Sequence, residues 1–448
     1  SRVDDRFEDE RWRQYPSPEA AGFSEDALEP AFQAAAEAGS VAVMAVHRGR
    51  VLFAWGDIDR ELELHSVRKS IYSVMAGIAA VEGLIDLDAT VTELGIDDLQ
   101  GLTAQERQAR FVDLIAARSG VYHPSAYSPK DMDKGLPARG SHPPGSYFYY
   151  NNWDFNVAAS ILEQAAGGDL YEAFQRWIAD PLGMQDWTPA DGYRAYEPLT
   201  SRWPAHTFRM STRDLARFGL LIEQQGRWNG QQIVPENWVE RSTKRVSEFE
   251  SGCGYGYMWW VYPAGCLPAD RYPAASQYDI VMARGTGGQA LFIIPAADLV
   301  VVHRGDTDQG AGVSGGTIWG MLETILAARN AASASGVVPV AVQPRPFLGR
   351  EPYTPPRLSE VSAADAVDLM GRYEFAPGVH GQVFAFQDHA YIQVPGEGEA
   401  QLFRLEDGRL TVVVEPGVRI TTQRDAAGEV AGLLVRVRGN EIRAKKVE

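Results

Sequence analysis

The strand-like segments of this chain come from two separated regions of its first 330 residues, with a helix-rich block between them. The first region, residues 41–55, reads as two strands joined by a turn at Arg48-Gly49-Arg50. The later segments are three strands and a closing helix, at residues 255–261, 290–295, 299–303 and 313–329. Because residues 86–225 are mostly helical in pattern, one sheet must draw its strands from both sides of that block. The sequence therefore predicts an α/β (α+β) fold: an antiparallel sheet flanked by helices, with a helical insertion.

A second, smaller unit is expected at the C-terminal end. Residues from about 361 onward alternate short apolar strands with glycine turns, which is typical of a small β-barrel or sandwich. Residues 331–360 are rich in Ala, Ser, Pro and Val with little periodicity, as in a linker. The predicted organisation is a main domain of residues 15–330 with its helical insertion, this linker, and a β-domain of residues 361–448.

Composition narrows the classes of partner. The formal net charge is -17, which argues against nucleic acid or an anionic membrane as a partner. No apolar stretch reaches the length of a membrane span, so no integral membrane segment is expected. No His/Cys grouping has zinc-ligand spacing, and neither a metal nor another cofactor is expected. Nothing in the sequence indicates the oligomeric state.

The chain has two cysteines, Cys253 and Cys266. They could close a short loop as a disulfide in an oxidising compartment, or remain as two buried thiols. The sequence does not decide between these.

Ser66 and Lys69 stand at the head of a strongly apolar, helix-like run, residues 66–81. This is the only place in the chain where a lysine follows a serine by three residues. Because positions i and i+3 share one face of a helix, the hydroxyl and the amine would be neighbours. Free N–H groups and the helix dipole would favour a developing anion in this first turn. The spacing predicts a serine nucleophile with an amine partner, although such a pair also arises by chance on surface helices.

Two further clusters carry candidate chemistry. Tyr150 and Asn152 lie two residues apart in a loop that leads into a helix predicted at 156–164. A phenol can relay protons where nearby cations lower its pKa, and an amide can orient an amine. The third cluster, residues 284–289, is glycine-rich and directly precedes a strand. Such backbone lets a substrate carbonyl approach main-chain N–H donors, but taken alone the motif is more typical of a tight turn.

Taken in order, S-x-x-K, Y-x-N and a glycine-rich motif at a strand edge resemble the serine β-lactamase and penicillin-binding protein superfamily. The sequence is most similar to the esterase, D-aminopeptidase and 6-aminohexanoate-oligomer hydrolase branch, nearest the class C lactamases. Further likeness lies in Arg118-Ser119-Gly120 and in residues 210–219 and 226–230. The resemblance covers residues 15 to 330, and the tail resembles the small lipocalin-like β-domain often appended to such hydrolases.

The resemblance implies a metal-independent serine hydrolase that forms an acyl-enzyme. Ser66 would be the acylated nucleophile, Lys69 its amine partner and Tyr150 the proton relay. Asn152 would position groups by hydrogen bonding, and the backbone N–H groups of Ser66 and Gly288 would form the oxyanion hole. The oxyanion-hole and substrate-binding residues that it implies are Gly288, Asn152, Thr286 and Gly287.

One departure bears on the substrate. In this superfamily the third motif usually opens with Lys or His, and here that position is Gly285 or, in a slipped register, Arg284. In the relatives this cation helps to hold the substrate carboxylate, so its loss disfavours β-lactam hydrolysis and favours a small-molecule ester or amide. The alternatives are a D-amino-acid peptidase and a non-catalytic protein of the same fold that binds cell-wall peptides.

Four other residues have more than one interpretation. One of Trp259 and Trp260 is expected to face the core while the other could line the pocket, and strand alternation does not say which. His123 and His303 have no partner spacing that suggests a triad. Both histidines are expected to be structural or exposed.

Overall fold

The computed structural model describes residues 7–8, 11–330, 332, 334–347, 353–437 and 439–447. The chain begins with strands that join the main sheet and two helices that flank it. These elements are β1 (Phe7–Glu8), β2 (Arg11–Gln14), α1 (Glu25–Ala38), β3 (Ala42–His47), β4 (Arg50–Gly56), β5 (Leu62–Glu63) and α2 (Arg68–Val81).

The predicted helical block follows. It contains mostly helices and two strands that form a small separate sheet with β5, in the order β5-β7-β6. Its elements are α3 (Phe111–Ile115), α4 (Lys130–Lys134), α5 (Asn152–Ala165), α6 (Leu170–Phe174), α7 (Asp180–Leu182), β6 (Gly192–Ala195), β7 (Ala205–Met210) and α8 (Thr212–Glu223).

The chain then returns to the main sheet and ends this part on a long helix. The elements are β8 (Arg227–Trp228), β9 (Gln231–Gln232), α9 (Glu236–Ser242), β10 (Ser247–Glu248), β11 (Gly254–Tyr255), β12 (Trp260–Tyr262), β13 (Ile280–Gly285), β14 (Gln289–Ile294), β15 (Leu299–Arg304) and α10 (Gly315–Ala327).

The main sheet has eleven strands, in the order β1-β2-β4-β3-β15-β14-β13-β12-β11-β10, with β16 (Val340–Ala341) paired to β2. All neighbours are antiparallel except β2 and β4. The junction between the two halves of the chain is the pairing of β3 with β15, which sets Val43 opposite His303. This confirms the predicted antiparallel sheet drawn from both sides of the helical block.

Successive side chains along each strand of the sheet point to opposite faces, and each face packs into a separate apolar core. On β14, Leu291 and Ile293 belong to a core that includes residues of α2, α5 and α8. Phe292 and Ile294 face the opposite way, into a core that includes residues of α1 and α10. The first of these cores is where α2 and α5 pack together, and it holds the polar motifs in place.

The strand predicted at residues 255–261 is interrupted. The backbone leaves the sheet after β11 and rejoins it at β12, and Met258 adopts a positive φ of 61°. A side chain at Gly256 would lie 2.2 Å from the carbonyl oxygen of Ser242, so this crossing needs glycine. The Met258 carbonyl accepts a hydrogen bond of 2.7 Å from Ser70 Oγ, which ties the interruption to α2.

Cys253 and Cys266 form a disulfide with Cα atoms 5.2 Å apart. Of the two alternatives that the sequence left open, the structure has the disulfide. It joins two positions that are 13 residues apart in the sequence, beside β11 and β12.

The C-terminal part is a half-barrel made of one ten-stranded antiparallel sheet, in the order β17-β22-β23-β24-β25-β26-β18-β19-β20-β21. Its strands are β17 (Leu358–Glu360), β18 (Gly371–Ala376), β19 (Val379–Phe386), β20 (His389–Val394), β21 (Gly398–Gln401), β22 (Phe403–Leu405), β23 (Leu410–Thr411), β24 (Arg419–Arg424), β25 (Val430–Val437) and β26 (Asn440–Lys446). It has its own apolar core. Two short strands, β16 and β17, lie within the segment that the composition predicts as a linker.

Candidate active site

Ser66 lies in a short 3-10 turn, His65–Val67, that runs directly into α2. The predicted helix thus begins two residues after the serine, at Arg68. His65 has a positive φ of 48°, so the backbone bends sharply just before the serine. Its ring bonds to Tyr127 and Thr307 at 3.0 and 2.8 Å, which fixes this bend.

Lys69 is the centre of the site. Its Nζ lies 3.0 Å from Ser66 Oγ, 2.6 Å from the Tyr150 hydroxyl and 2.6 Å from Asn152 Oδ1. The lysine is only 1% exposed. Burial, assisted by the neighbouring Arg68 guanidinium, lowers the pKa of Lys69 well below its ordinary value of 10.5.

A neutral amine fits these three neighbours. It has two N–H donors and one lone pair, so it can donate to Tyr150 and Asn152 while its lone pair accepts from the Ser66 hydroxyl. An ammonium could instead donate to all three oxygens, but it would have no lone pair to accept the serine proton. The depressed pKa of Lys69 favours the neutral form, which can act as a base towards the serine hydroxyl.

Tyr150 presents its hydroxyl to the same point. Burial raises the pKa of Tyr150, and a hydrogen bond to Ser66 and the charges of Arg68 and Arg284 offset this only in part. From the sequence, nearby cations are expected to lower the pKa of this phenol, whereas in the structure the pKa of Tyr150 is raised. The phenol is thus a neutral donor, and the base character of this cluster resides in Lys69.

Asn152 is held by the start of α5, which begins there and not at residue 156. The preceding Asn151 caps the helix by accepting from the Trp153 N–H, and its own amide donates to the Val121 carbonyl at 3.0 Å. Asn152 Nδ2 donates to Ser128 Oγ at 3.0 Å, which leaves its Oδ1 turned towards Lys69. A helix cap thereby fixes the spacing of tyrosine and asparagine in the motif.

The glycine-rich motif divides between two surroundings. A side chain at Gly285 would lie 2.5 Å from the Leu64 carbonyl oxygen and 3.0 Å from the Ser66 nitrogen, so this edge of β13 abuts the serine turn. Thr286 lines the cavity beside Ser66, and Gly287 lines a neighbouring one. A side chain at Gly288 would lie 3.0 Å from Val313, so this residue packs on Val313.

His303 explains where Gly288 points. Its Nδ1 lies 2.6 Å from the Gly288 carbonyl oxygen and its Nε2 lies 2.7 Å from Ser40 Oγ, all within the protein interior. Burial lowers the pKa of His303 to about 4, so the ring is neutral at neutral pH. His303 is structural, as expected, and so is His123, which is buried against Trp153. The Gly288 carbonyl thus faces this histidine, whereas Thr286 lines the cavity beside Ser66.

The two tryptophans have different roles, and the structure settles which is which. Trp259 is fully buried and stacks on Phe218 with ring centroids 6.2 Å apart. Trp260 lines the cavity and stacks on Tyr150 at 5.5 Å. The Arg284 guanidinium carbon lies 4.2 Å above the Trp260 ring. Arg284 thus brings a positive charge to the cavity, whereas a side chain at Gly285 would meet the backbone of the serine turn.

A cavity of about 1040 Å³ opens at this cluster. Its polar end is lined by residues from all three motifs, and its other wall comes from the C-terminal half-barrel. The residues of the polar end include Ser66, Tyr150, Asn152, Trp260, Arg284 and Thr286. Of the seven sequence-predicted site residues, Ser66, Tyr150, Asn152 and Thr286 line this cavity, and Lys69 contacts the first three of these. Gly287 lines the neighbouring cavity, and Gly288 packs on Val313.

Two general features of the described residues concern metal-binding groups and membrane-spanning helices. Among the residues that the structure describes, no group of three or more His, Cys, Asp or Glu is arranged to hold a metal ion. No helix in the described part of the chain is long and apolar enough to cross a membrane.

The match to known proteins agrees with this geometry. A model of the beta-lactamase family matches residues 26–304, which is more than half of the chain. The chain belongs to the beta-lactamase family. Its resemblance to that family in sequence, stated above from three motifs, is confirmed.

Solved structures share the fold of this family member. A protein of Bacillus anthracis assigned as a 6-aminohexanoate-dimer hydrolase is 22% identical with a TM-score of 0.51, over 65% of this chain and 79% of that one. A class C beta-lactamase of Rhodobacter sphaeroides is 17% identical with a TM-score of 0.51, over 68% and 99% of the two chains. At these identities the likeness is one of fold.

A curated relative is the ML-236A carboxylate methylbutanoyltransferase of Penicillium citrinum. It is 31% identical over 161 residues, which is 30% of this chain and 38% of the relative. The chain thus matches well under half the length of this acyltransferase. Hydrolases and an acyltransferase both occur among the proteins that this family member resembles.

Proposed function

We propose that this protein is a serine hydrolase that cleaves an ester or amide bond through an acyl-enzyme on Ser66. The observation that carries the proposal is the buried Lys69 with its Nζ 3.0 Å from Ser66 Oγ, where burial lowers the pKa of the amine and favours its neutral form. Hydroxyl groups are weak nucleophiles, and an adjacent base is what activates them. A protein that only bound peptides would have no use for such a base, which favours catalysis over the binding-protein alternative.

Acylation begins with proton transfer from the Ser66 hydroxyl to the lone pair of Lys69, while Oγ attacks the carbonyl carbon. Tyr150 then donates its proton to the leaving alcohol or amine and regains one from the Lys69 ammonium, 2.6 Å away. Water attacks the acyl carbon on the reverse path, gives a proton back through the same pair, and Ser66 leaves with its hydrogen restored.

The oxyanion is proposed to bind the backbone N–H groups of Ser66 and Thr286. Gly285 brings its strand edge within contact distance of the Ser66 nitrogen. Thr286 is proposed here in place of Gly288 because Thr286 lines the cavity beside Ser66, whereas Gly288 packs on Val313. Removing one such donor typically costs about 10²–10³ in rate.

Arg284 bears on the substrate. Its guanidinium stacks on Trp260 and stands at the cavity, but the position next to the serine turn, Gly285, carries no charge. We therefore propose that a carboxylate beside the scissile bond is not required, and that uncharged esters or amides are cleaved in preference to β-lactams.

The test is a hydrolysis panel on one preparation: short-chain nitrophenyl esters, a chromogenic cephalosporin, D-alanyl peptides and linear ω-amino-acid amides. We expect kcat/KM for an ester or a linear amide to exceed that for the cephalosporin. We also expect Ser66→Ala to abolish turnover while circular dichroism and thermal unfolding stay unchanged. Turnover of none of these compounds, or retention of more than a few per cent of the rate in Ser66→Ala, would contradict the proposal.

A further inference from the structure

The half-barrel lines the cavity with the carboxylates Glu397, Glu399 and Glu415 and with a larger set of aliphatic side chains, which form the aliphatic wall. Many of them come in pairs two residues apart, so each pair lies on one face of a strand or its extension. These pairs are Ile392 and Val394, Val412 and Val414, Val418 and Ile420, and Val435 and Val437. The inner face of the half-barrel is therefore apolar along several neighbouring strands.

The pairs also line up between strands. Ile420 on β24 stands opposite Val435 on β25, which stands opposite Ile442 on β26. Of these three, Ile442 is only partly covered by the core of the half-barrel, as are Val394 and Val437. The apolar face thus extends beyond the buried core of the half-barrel, and its partly buried residues Val394, Val437 and Ile442 line the cavity.

The half-barrel is fixed against the catalytic part of the chain near this cavity. Glu399 on β21 accepts from the Leu199 N–H and from Thr200 Oγ1, both at 3.2 Å. Tyr193 on β6 packs edge-on against Phe403 on β22 with ring centroids 6.0 Å apart. These contacts hold the aliphatic wall at the mouth of the site.

We propose that this aliphatic wall binds an extended apolar group of the substrate, so that the enzyme acts on esters or amides with a long hydrocarbon chain. The inference rests on the proposed function, because it takes the carbonyl to be at Ser66. Ser66, Trp260 and Val437 line the same cavity.

The size and chemistry of the cavity favour this occupant. A volume of about 1040 Å³ is at the upper end for small-molecule sites, and far exceeds what an acetyl group would fill. Aliphatic side chains offer no hydrogen bonds, so they distinguish substrates by apolar area alone. Each methylene buried on such a wall can raise kcat/KM by up to about fourfold at 25 °C.

The test is chain-length dependence in two arms. One arm varies the acyl chain of nitrophenyl esters from acetate to octanoate, and the other varies the alcohol of alkyl acetates from methyl to octyl. We expect kcat/KM to rise at least about tenfold along one arm, which identifies the side of the carbonyl that meets the wall. A flat profile in both arms would overturn the proposal.

Matched variants locate the effect. Val394→Asn and Val437→Asn put an amide into the wall, and Val379→Asn makes the same change at an exposed valine on β19 of the same sheet. We expect the long-to-short ratio of kcat/KM to fall at least about threefold in the first two and to stay unchanged in the third. An unchanged ratio in both wall variants, with thermal unfolding intact, would also overturn the proposal.

A binding measurement separates this inference from the proposed function. Calorimetric titration of the Ser66→Ala protein with octanamide and with acetamide needs no hydrolysis. We expect octanamide to bind at least about tenfold more tightly. Tight octanamide binding without turnover of any ester would contradict the proposed function but support the proposed binding of an apolar chain. Equally weak binding of both amides would overturn the proposal that the aliphatic wall binds such a chain.

Discussion

The two walls of the cavity are built in opposite ways. The wall around Ser66 is polar and consists of a few side chains joined by hydrogen bonds of 2.6 to 3.0 Å about Lys69. The wall from the half-barrel is aliphatic, spread over neighbouring strands, and makes no such bonds among its valines and isoleucines. One wall depends on the exact placement of single atoms, and the other on total apolar area.

This difference predicts how each wall responds to change. A buried polar group that loses its partner is both desolvated and unsatisfied, so losses in the first wall are large and not additive. An aliphatic wall loses only the area of the altered side chain, so each change there is modest. A single substitution in the half-barrel that lowers kcat/KM as much as the loss of a group that contacts Ser66 would contradict this comparison.

The largest loss among the variants that retain Ser66 is expected from its two partners, Lys69 and Tyr150. We expect Lys69→Ala and Tyr150→Phe each to lower kcat/KM by about 10²–10⁴-fold, since both pass the same proton. The double variant should lose little more than the worse single variant. A double-mutant cycle on a good ester substrate measures this.

If the loss in the double variant equals the product of the single losses, the two residues act independently and the shared proton path is wrong. Thermal unfolding of all three variants is the control for folding. Tyr150→Phe retains the ring that stacks on Trp260, so a change in packing is not expected to account for its loss.

A smaller but still large loss is expected from Gly285→Ala. The added methyl group would meet the Leu64 carbonyl oxygen at 2.5 Å and push on the serine turn. A displacement of the order of 1 Å at a reacting atom can cost about 10² in rate, so we expect a loss of that size in kcat.

The matched control is Gly320→Ala on α10, where an added Cβ meets nothing within 4 Å. It should leave kcat unchanged. Full activity in Gly285→Ala would mean that the strand edge does not position the serine turn, and the oxyanion site proposed at Thr286 would be lost with it.

Much of this site could be predicted from the sequence because its polar wall is made of local motifs. The spacing of Ser66 and Lys69 follows from helix geometry alone. Tyr150 and Asn152 are adjacent to a helix cap, and the cap sets their separation. The main antiparallel sheet was predictable from apolar runs on either side of a helical block.

What the sequence did not predict depends on contacts between distant segments. Thr286 and Gly288 lie in one short motif, and only the packing of His303 and Val313 turns them to opposite sides. The interrupted strand at Met258 follows from a bond to α2. The aliphatic wall could not be predicted from a sequence motif, because alternating valines are typical of any half-buried strand.

The central claim is that Ser66 is the nucleophile and that the neutral Lys69 activates it. The most direct measurement is reaction of the folded protein with a fluorophosphonate, followed by intact mass and peptide mapping, on the wild type, Ser66→Ala and Lys69→Ala. The account predicts one adduct on Ser66 in the wild type, none in Ser66→Ala, and labelling slowed by at least about 10²-fold in Lys69→Ala. An adduct on another residue, or none in the folded wild-type protein, would contradict it.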